Sequence, residues 1–376
     1  MSFDYDIAIV GAGMAGASLA AEAAGRASIL LLEAEDQPGY HSTGRSAAFW
    51  AESYGGPFIQ PLTTASGPFL AERGFLHPRG ALHIADGEGL GALAALEVEF
   101  GDRVGFERLD RAGLQSRLPG LRSGWVAGLF EPSCADIDVA GLHAFYLAQA
   151  RREGAQLVTG AEVRALGRDG PGWRVETKAG TFRVRLVANA AGAWADRVAA
   201  MAGAAPIGLQ PYRRTLSQLR LDRPAPADLP LVIDALGRFY FKPEAGGRLW
   251  LSPHDETPCD PCDCAPEELD VAIAIDRFEQ VVDWKVERVE RSWAGLRSFA
   301  PDRRPVYGFD PAVPAFFWCA GQGGFGIQTA PAAARLAAAL LLGAAPDPTL
   351  AGIDPAPYSP ERFGDGVASE SRPRPN

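Results

Sequence analysis

The sequence predicts an α/β fold, α+β overall, in which a discontinuous Rossmann-like domain is joined to a second domain built on a mixed sheet. Three observations predict it. The apolar run at residues 6–10 leads into a glycine-rich turn at 11–16 and then an alanine-rich stretch. A second apolar run at 28–32 ends at an acidic residue. Further strand-like runs at 185–190 and 315–319 lie far along the chain and are separated by strand-rich segments.

The first glycine-rich turn has the spacing of a dinucleotide-binding βαβ unit. Gly11 allows the tight turn, Gly13 lets the backbone approach a pyrophosphate, and Gly16 lets the helix pack closely on the strand. Glu33 ends the next strand, about 20 residues further on, where it can accept hydrogen bonds from a ribose. The N-terminus of the intervening helix is expected to face the phosphates with free N–H groups.

Length, composition and charge limit the function classes. A chain of 376 residues with 47% apolar residues is long enough for two domains and a large core. The net charge of −10 argues against a nucleic-acid partner. Neither a signal peptide nor an apolar stretch long enough to span a bilayer is evident, so a cytoplasmic location is expected. The five cysteines are irregularly spaced and are expected to be free thiols.

Helix and strand signals alternate between the first βαβ unit and residue 205. Ser42 or Thr43 is expected to cap a helix that extends to about Ser53. The other predicted elements are a strand at 80–85, helices at 90–100 and 138–153, strands at 157–159, 162–166 and 185–190, and a hairpin of 173–177 with 181–184.

Strand signals dominate again from residue 211 to 293, and they include a hairpin of 231–233 with 239–242. A buried strand at 315–319 then leads into the glycine-rich run at 321–329 and a helix. The tail at 355–376 is rich in Pro, Ser, Gly and charged residues, a composition typical of disorder.

Several motifs together resemble the D-amino-acid oxidase/dehydrogenase superfamily of FAD enzymes, over about residues 4 to 345. They are Gly11–Gly16, Glu33, QPGYHSTGRSAA at 37–48, NAAGAW at 189–194, WAGLRSFAPD at 293–302 and GQGGFGIQT at 321–329. Within the superfamily, the run at 37–48 together with LQPYRR at 209–214 and GGFGIQT at 323–329 is most similar to the bacterial D-arginine dehydrogenase branch. The resemblance implies an FAD-binding α/β domain and a substrate-binding domain on a large mixed sheet.

The chain is accordingly divided into interleaved segments. The FAD-binding domain is expected to comprise residues 1–54, 137–205 and 290–350, and the substrate-binding domain 55–136 and 206–289. The residues expected to hold FAD are Gly11, Gly13, Met14, Ala15, Gly16, Glu33, Ala34, Ser42, Thr43, Gly44, Arg45, Ser46, Ala47, Ala48, Val163, Gly192, Trp194, Gly323, Gly324, Phe325, Gly326, Ile327 and Gln328. Among these, Val163 is implied by the resemblance alone. FAD is expected to be non-covalent, because Ser298 follows Arg297, near the position where the sarcosine-oxidase branch carries a flavin-linked cysteine.

The glycine-rich run at 321–329 is expected to approach the flavin ring. Four glycines keep its backbone thin, and a helix beginning near Ile327 would point its N-terminus at the pyrimidine end of the ring. A helix N-terminus stabilises the negative charge that develops there when the flavin is reduced. Gly324 and Gln328 are also expected to contact the substrate.

Two arginines and two tyrosines are the candidate catalytic residues. A planar guanidinium binds a carboxylate bidentately, and the resemblance implies this role for Arg297 and for Arg214, although Arg213 is adjacent to the latter. The phenols of Tyr54 and Tyr240 can hydrogen-bond a carboxylate or an amine. Tyr54 lies beside a Gly-Gly-Pro turn, as a mobile lid residue would.

Departures from the family pattern bear on specificity. Phe49 stands where the most similar relatives carry histidine, and Gly80-Ala81-Leu82 occupies the stretch where relatives that take cationic substrates place a carboxylate. A cation buried without that partner would be costly. The expected pocket is therefore apolar, with walls formed by Phe49, Ala81, Leu231 and Ile233.

The sequence thus predicts FAD-dependent oxidative deamination of a neutral or hydrophobic D-amino acid to a 2-oxo acid and ammonia, with hydride transfer from Cα to flavin N5. No general base is required if the amine binds neutral. Oxidation of a 2-hydroxy acid, or of a secondary amino acid such as sarcosine, is the alternative. The electron acceptor, either O₂ or a quinone or other carrier, and the oligomeric state, either monomer or dimer, stay open.

Three closely spaced thiols suggest two further alternatives. Cys259, Cys262 and Cys264, with His254 nearby, could form a zinc site, but the spacing lacks a partner knuckle, so no metal is expected. The same thiols could serve a non-catalytic flavin-binding redox sensor. NAD in place of FAD is disfavoured by the runs at 42–48 and 323–328.

Overall fold

The computed structural model describes residues 3–364, which form eight α-helices and twenty strands. The helices are α1 (Met14–Ala23), α2 (Gln60–Glu72), α3 (Leu90–Phe100), α4 (Arg111–Arg117), α5 (Val139–Arg152), α6 (Ala195–Met201), α7 (Glu268–Val281) and α8 (Ala330–Leu342). The strands are β1 (Tyr5–Val10), β2 (Ile29–Leu32), β3 (Phe49–Trp50), β4 (Leu76–Pro78), β5 (Ala81–Ala85), β6 (Glu107–Asp110), β7 (Ala127–Glu131), β8 (Ala135–Ile137), β9 (Gln156–Val158), β10 (Val163–Asp169), β11 (Gly172–Thr177), β12 (Gly180–Asn189), β13 (Gln210–Leu221), β14 (Leu231–Asp234), β15 (Tyr240–Glu244), β16 (Arg248–Ser252), β17 (Thr257–Pro258), β18 (Val286–Phe299), β19 (Val306–Phe309) and β20 (Phe316–Ala320).

An eight-stranded sheet forms the Rossmann-like half. Its path is β10-β11-β12-β1-β2-β9, and β20 joins the far end of β12 with β19 on its outer edge. Strands β9, β2, β1, β12 and β20 are parallel. In the middle of this sheet, residues 7–10 of β1, all of β2 and all of β20 are apolar and buried, as expected for strands covered on both faces. Helices α1, α5 and α8 pack on one face of the parallel strands. On the opposite face, the side chains of β1 and β2 cluster with those of α6 and of β10 and β11, the antiparallel end of the same sheet.

A nine-stranded mixed sheet forms the other half. Its path is β17-β13-β16-β15-β14-β5-β7-β6, and β18 pairs with β13 over nearly their whole lengths. Helix α7 and a cluster of apolar side chains cover one face of this sheet. The other face turns towards the glycine-rich turns of the first sheet. A small sheet of order β3-β8-β4 lies between the two halves.

The predicted fold class is confirmed. The helices expected at 90–100 and 138–153 and both predicted hairpins are present. Other details differ from the predictions. The helix expected through about Ser53 is a single 3₁₀ turn at Thr43–Arg45 followed by β3, because Phe49 and Trp50 pair with Asp136 and Ala135 of β8. The expected division into domains stays a prediction, and its boundary at residue 290 lies inside β18 of the nine-stranded sheet.

The first part of the predicted disordered tail is ordered. Residues Ala356–Tyr358 and Pro360–Phe363 form 3₁₀ turns. Tyr358 is buried and donates its hydroxyl to the carbonyl of Phe58 at 2.7 Å, and Arg362 Nε lies 2.8 Å from Asp302 Oδ2. The rest of that prediction, residues 365–376, lies outside the described residues. Among residues 3–364, no helix is both long enough and apolar enough to cross a membrane.

Candidate active site

A cavity of about 690 Å³ runs along the interface of the two halves. Its walls come from the turn between β1 and α1, the turn at 42–47, the end of β12 and the glycine-rich run after β20. The nine-stranded sheet contributes side chains from β13 and β18, Arg214, Leu216 and Arg297 among them. The cavity therefore connects the segment predicted to bind a dinucleotide with Arg214 and Arg297, the two arginines predicted to bind a carboxylate.

The first glycine-rich turn has no room for side chains at two positions. Gly11 has a φ of +100°, and a Cβ there would lie 2.5 Å from the carbonyl oxygen of Ala190. A Cβ on Gly16 would lie 1.8 Å from the carbonyl oxygen of Gly11. Strand β1, helix α1 and the end of β12 thus meet at contact distance, which brings the start of α1 to the cavity wall.

Acceptors and donors around this turn are arranged for a diphosphate and a ribose. The amide of Met14 donates to Thr43 Oγ1 at 3.0 Å, and the amide of Ala12 donates to Glu33 Oε2 at 2.9 Å. The N-cap residue of α1 is Gly13, which has no side chain to cap the helix, so the helix presents a positive dipole end and its first-turn N–H groups beyond that of Met14 to the cavity. Glu33 lines the cavity beyond that turn, at the place expected for a ribose ligand.

The second predicted cofactor segment is fixed to β18 rather than forming a helix. Ser42 Oγ donates to the carbonyl of Leu296 at 2.7 Å, and Arg45 Nη1 donates to the carbonyl of Ala294 at 3.0 Å. In return, Trp293 Nε1 donates to the carbonyl of Arg45 at 3.1 Å. The expectation of a helix N-terminus here is wrong, but the small residues of the turn still line the cavity.

The third segment, after β20, is a series of turns. Gly323 has a φ of +55°, and a Cβ there would collide with the ring of Phe299. The helix expected to begin near Ile327 begins at Ala330, because residues 323–329 form turns. The backbone at 323–326 is thin, as predicted, and reaches the same end of the cavity as Arg297.

Most of the residues predicted to hold FAD lie on the cavity wall. They are Gly11, Gly13, Met14, Ala15, Glu33, Ala34, Ser42, Thr43, Arg45, Ser46, Ala47, Val163, Gly192, Trp194, Gly323, Gly324, Gly326 and Ile327. Five do not line it, namely Gly16, Gly44, Ala48, Phe325 and Gln328. Gly16 and Gly44 instead allow close backbone contacts, with a hypothetical Cβ at 1.8 and 2.8 Å from a carbonyl oxygen. The open α1 N-terminus and the side-chain-free turns fit FAD.

Arg297 and Tyr54 form the first pair of the substrate end. Arg297 Nη1 lies 2.8 Å from the hydroxyl of Tyr54. Burial disfavours the charge of Arg297, but Tyr54, Tyr240 and Glu256 outweigh burial, so the pKa of Arg297 is raised above its ordinary value. Gly324 covers this pair closely, since a Cβ on it would lie 2.5 Å from the Tyr54 hydroxyl.

Arg214 is the second cation, and it lies diagonally from Arg297 on the neighbouring strand. It is 4% exposed, and its Nε donates to the carbonyl of Asp255 at 2.8 Å. Burial, followed by the nearby charge of Arg297, lowers the pKa of Arg214 to about 10. Arg213 points to the other face, where it pairs with Glu267 and Asp270, so Arg214 is the arginine directed towards the cavity.

Two polar atoms at this end lack partners. Within residues 3–364, Arg214 Nη1 and the hydroxyl of Tyr240 are buried and have no hydrogen-bond partner. Burying such groups without partners costs free energy, so they indicate a place for a polar or anionic ligand. Tyr240 lies on the opposite face of β15 from Phe239 and Phe241, as predicted from the alternation of the strand.

The predicted apolar wall forms one cluster beyond the cavity. Phe49, Ala81, Leu231 and Tyr240 are buried together, with Ile233 and Tyr54 packed against them. The ring of Phe49 is 5.1 Å from that of Tyr54 and 6.3 Å from that of Tyr240. None of these residues lines the cavity itself, which ends at Arg214, Leu216 and Arg297. The space beyond the two arginines is therefore closed by packed side chains.

The structure assigns Gln328 and Tyr54 different surroundings from those expected. Gln328 is 2% exposed, and its Nε2 donates to the carbonyl of Tyr54 at 3.0 Å and to Thr63 Oγ1 at 2.9 Å. The Gln328 side chain thus bonds to protein groups and does not line the cavity. The segment that carries Tyr54 is held by these bonds, so the structure gives no support to a mobile lid.

Sequence reasoning missed the charged residues next to Arg214. Glu256 Oε1 lies 3.1 Å from Arg214 Nη2 and 2.9 Å from Arg303 Nη2. His254 packs edge-on against Tyr240, and burial together with Arg214 and Arg297 lowers its pKa well below the ordinary value. The run HDE at 254–256 was a visible signal, but only the fold brings it to Arg214 of the distant β13.

The three-cysteine segment lies at the edge of the cavity and shows no metal-binding geometry. Asp263 pairs with Arg45, which also donates to the carbonyl of Cys264 at 3.2 Å. Nowhere in the described part of the chain do three or more metal-ligating side chains converge. His254 is occupied with the carbonyl of Gly237, so it is not a fourth ligand to these thiols.

Comparison with known proteins identifies the family of this chain. The sequence profile of the family described as FAD dependent oxidoreductase matches residues 6–340. A glycine oxidase of Pseudomonas aeruginosa is 31% identical over 252 residues, which are 65% of this chain and 64% of that protein. The chain thus spans a little under two thirds of the length of this relative.

Two other relatives extend the comparison. A glycine oxidase of Geobacillus kaustophilus is 28% identical over 91% of this chain and 94% of its own length. Its crystal structure superposes with a TM-score of 0.83 at 25% identity, over 95% of this chain and 98% of that one. Human mitochondrial dimethylglycine dehydrogenase is 34% identical over 128 residues, which are 33% of this chain and 15% of that protein.

Proposed function

The chain belongs to the FAD-dependent oxidoreductase family, and we propose that it oxidises the C–N bond of a small amino acid, either glycine or an N-methylated glycine such as sarcosine. The single observation that carries this proposal is the pair of converging arginines with unpaired polar atoms beside them. The similarity to two glycine oxidases and to dimethylglycine dehydrogenase supports the same substrate class.

The carboxylate of the substrate is proposed to bind between Arg297 and Arg214. A guanidinium gives two parallel charge-assisted hydrogen bonds to a carboxylate, and these are stronger than bonds between neutral groups. Arg214 lines the cavity, and its Nη1 would gain the partner that it lacks within the described chain. Tyr54, already bonded to Arg297, orients the guanidinium.

A small side chain on the substrate is proposed because the apolar cluster closes the pocket. Phe49, Ala81 and Leu231 pack against one another beyond the cavity, so a long side chain would have to displace them. Glu131, which lies opposite Ala81 of that cluster, is fully buried and accepts hydrogen bonds from Ser53 and the amide of Glu52, so it is not free to pair with a cationic substrate side chain. A guanidinium or ammonium side chain would therefore be buried without a partner.

The protein's own groups are proposed to orient the substrate and keep water away. When bound, FAD supplies the acceptor for the hydride that leaves the carbon next to nitrogen. Arg297 and Arg214 hold the carboxylate at one end, while the packed rings of Phe49, Tyr54 and Tyr240 exclude water from the other side. The resulting imine is then hydrolysed in water, which gives glyoxylate and ammonia from glycine. Either O₂ or a carrier such as a quinone is proposed to take up the electrons.

A small D-amino acid is the second candidate, since a substrate with a methyl group at Cα needs little more space than glycine.

The experiment that tests the proposal is an anaerobic mixing series in which loss of flavin absorbance reports substrate oxidation. Glycine, sarcosine and D-alanine should bleach the flavin, with D-valine slower and D-arginine inactive. Fast bleaching by D-valine or D-arginine, with none by glycine or sarcosine, would contradict the proposed substrate class.

A further inference from the structure

Glu131 is a fully buried carboxylate outside the predicted site, at the end of β7. It lies directly opposite Ala81 of β5, on the face of the sheet that turns towards the cavity. Its Oε1 accepts the amide N–H of Glu52 at 2.8 Å and that of Ser53 at 3.4 Å, and its Oε2 accepts the hydroxyl of Ser53. His83 Nε2 lies 3.9 Å from Oε2.

The hydroxyl of Ser133 also donates to Oε1 at 3.5 Å, but the shorter bonds all come from one segment, residues 51–54, here termed the Tyr54 loop. Gln328 holds the same loop from the cofactor side, since its Nε2 donates to the carbonyl of Tyr54 and its Oε1 accepts the amide of Ala51 at 3.3 Å. The loop is therefore fixed between the nine-stranded sheet on one side and the turns after β20 on the other.

The loop ends at the residue that contacts Arg297. The Tyr54 hydroxyl lies 2.8 Å from Arg297 Nη1, and the Tyr54 ring packs 5.0 Å from that of Phe325. A displacement of the loop by a fraction of an ångström would weaken the Tyr54–Arg297 hydrogen bond, since hydrogen bonds weaken steeply with distance and angle. The geometry of the carboxylate site thus depends on what fixes Glu52 and Ser53.

Taking the charge of a carboxylate out of water costs free energy, so a buried carboxylate needs partners that offset this cost. Burial alone would raise the pKa of Glu131, but His83, Ser53 and the amide of Glu52 outweigh burial and hold this pKa below its ordinary value. These partners favour the charged form of Glu131, and a charged acceptor forms stronger bonds to backbone N–H groups than a neutral one.

We propose that Glu131 is a positioning residue for the substrate carboxylate, which acts by fixing the Tyr54 loop so that the Tyr54 hydroxyl meets Arg297. This inference rests on the proposed function, since it takes Arg297 and Tyr54 to bind that carboxylate. Glu131 itself does not contact the substrate, because its oxygens are occupied by the loop.

The test is a double-mutant cycle in the FAD-loaded enzyme, with KM and kcat for the substrate that bleaches the flavin fastest. The variants are E131Q, Y54F and the double variant. Each single change should raise KM about tenfold, the effect of one hydrogen bond to a charged group. Because Glu131 acts through Tyr54, the double variant should have nearly the KM of Y54F alone.

Asp310 provides the matched control. Its carboxylate also holds a loop, through the amides of Ala312 and Val313 and through Trp318 Nε1 at 3.0 Å, but that loop lies away from the cavity. D310N should lower the melting temperature and leave KM unchanged. If E131Q does not fold, S53A removes the hydroxyl bond to Oε2 and keeps the backbone bonds to Oε1, and the cycle is repeated with it.

The outcomes separate the two proposals. If the KM increases of E131Q and Y54F multiply in the double variant, or if E131Q leaves KM unchanged, the positioning role of Glu131 is wrong. Neither result contradicts the proposed function. If Y54F and R297K both leave KM unchanged, the carboxylate site of the proposed function is wrong.

Discussion

The two ends of the cavity are built by different means. At the cofactor end, the wall is largely backbone, and its shape depends on side chains that are missing at Gly11, Gly16 and Gly323. At the substrate end, the wall is made of long side chains that are held in place by partners far along the sequence, such as Arg214 by Asp255 and Tyr54 by Arg297. The shape of the cofactor end is fixed by close backbone contacts that leave no room for side chains. The shape of the substrate end is fixed by several hydrogen bonds and ion pairs between side chains.

The difference has a consequence for how each end fails. A side chain added at the cofactor end meets backbone that cannot move, so the loss should be all or none. A side chain changed at the substrate end leaves the cavity intact but misplaces a charge, so the loss should appear in KM and be graded. The predictions below test this contrast, from the largest expected effect to the smallest.

The largest effect is expected from G16A. Its Cβ would lie 1.8 Å from the Gly11 carbonyl oxygen, so α1 would be pushed away from β1 and the phosphate-facing turn would open. The purified variant should contain no FAD, as measured by flavin absorbance per protein. The control is G91A in the first turn of α3, where no atom lies within 4 Å of the added Cβ. That variant should bind FAD normally and be slightly more stable. A purified G16A protein that is yellow, and so still contains FAD, would contradict the all-or-none loss expected at the cofactor end.

An intermediate effect is expected from R297K. Lysine keeps the charge but loses the two-pronged hydrogen bonding and the bond to Tyr54, so KM should rise about 100-fold with FAD still bound. Steady-state kinetics and the flavin spectrum measure the two parts separately. R288K on the same strand, where Arg288 is exposed, should change neither. Loss of FAD from R297K would show that the two ends are not independent.

A smaller effect is expected from pH. Because the pKa of Arg214 is lowered to about 10, its charge is present below that pH and is lost as pH rises through it. Affinity for acetate, a carboxylate with no oxidisable amine, should therefore be constant up to pH 9. It should then fall by up to about tenfold per pH unit above 10. Titration of the flavin spectrum with acetate measures it. In R214M the affinity should be lower, and this fall should disappear.

The contrast also accounts for what the sequence could predict. The cofactor end is encoded locally, since Gly11, Gly13, Gly16 and Glu33 lie within one βαβ unit whose spacing has a direct physical meaning. The parallel core and both hairpins follow from apolar periodicity, and the structure has them as predicted.

The substrate end could be predicted only in part. Arg214 and Arg297 were identified by their motifs, but Asp255 and Glu256, which hold Arg214, lie about 40 positions away and match no motif. Gln328 was predicted to contact a ligand, yet its amide faces Thr63 and Tyr54, which the fold alone brings together. Glu131 was missed because a lone carboxylate in a strand gives no sign of the loop that it holds.

Tertiary contacts overrode local sequence signals at two places. The turn after Thr43 has helix-capping residues, but pairing of Phe49 and Trp50 with β8 makes it extended. The Pro-rich tail has a disorder-like composition, yet the burial of Tyr358 and the ion pair of Arg362 with Asp302 are enough to order residues 356–363.

The most direct test of the central claim compares glycine with glycolate by anaerobic mixing with the FAD-loaded protein. The two share a carboxylate and are nearly the same size, so Arg297 and Arg214 should bind both, and only the amine differs from the hydroxyl. Glycine should remove the flavin absorbance within seconds to minutes, while glycolate should shift the spectrum by binding without removing it. Bleaching by glycolate at the rate of glycine or faster would contradict the account and assign the site to 2-hydroxy acids.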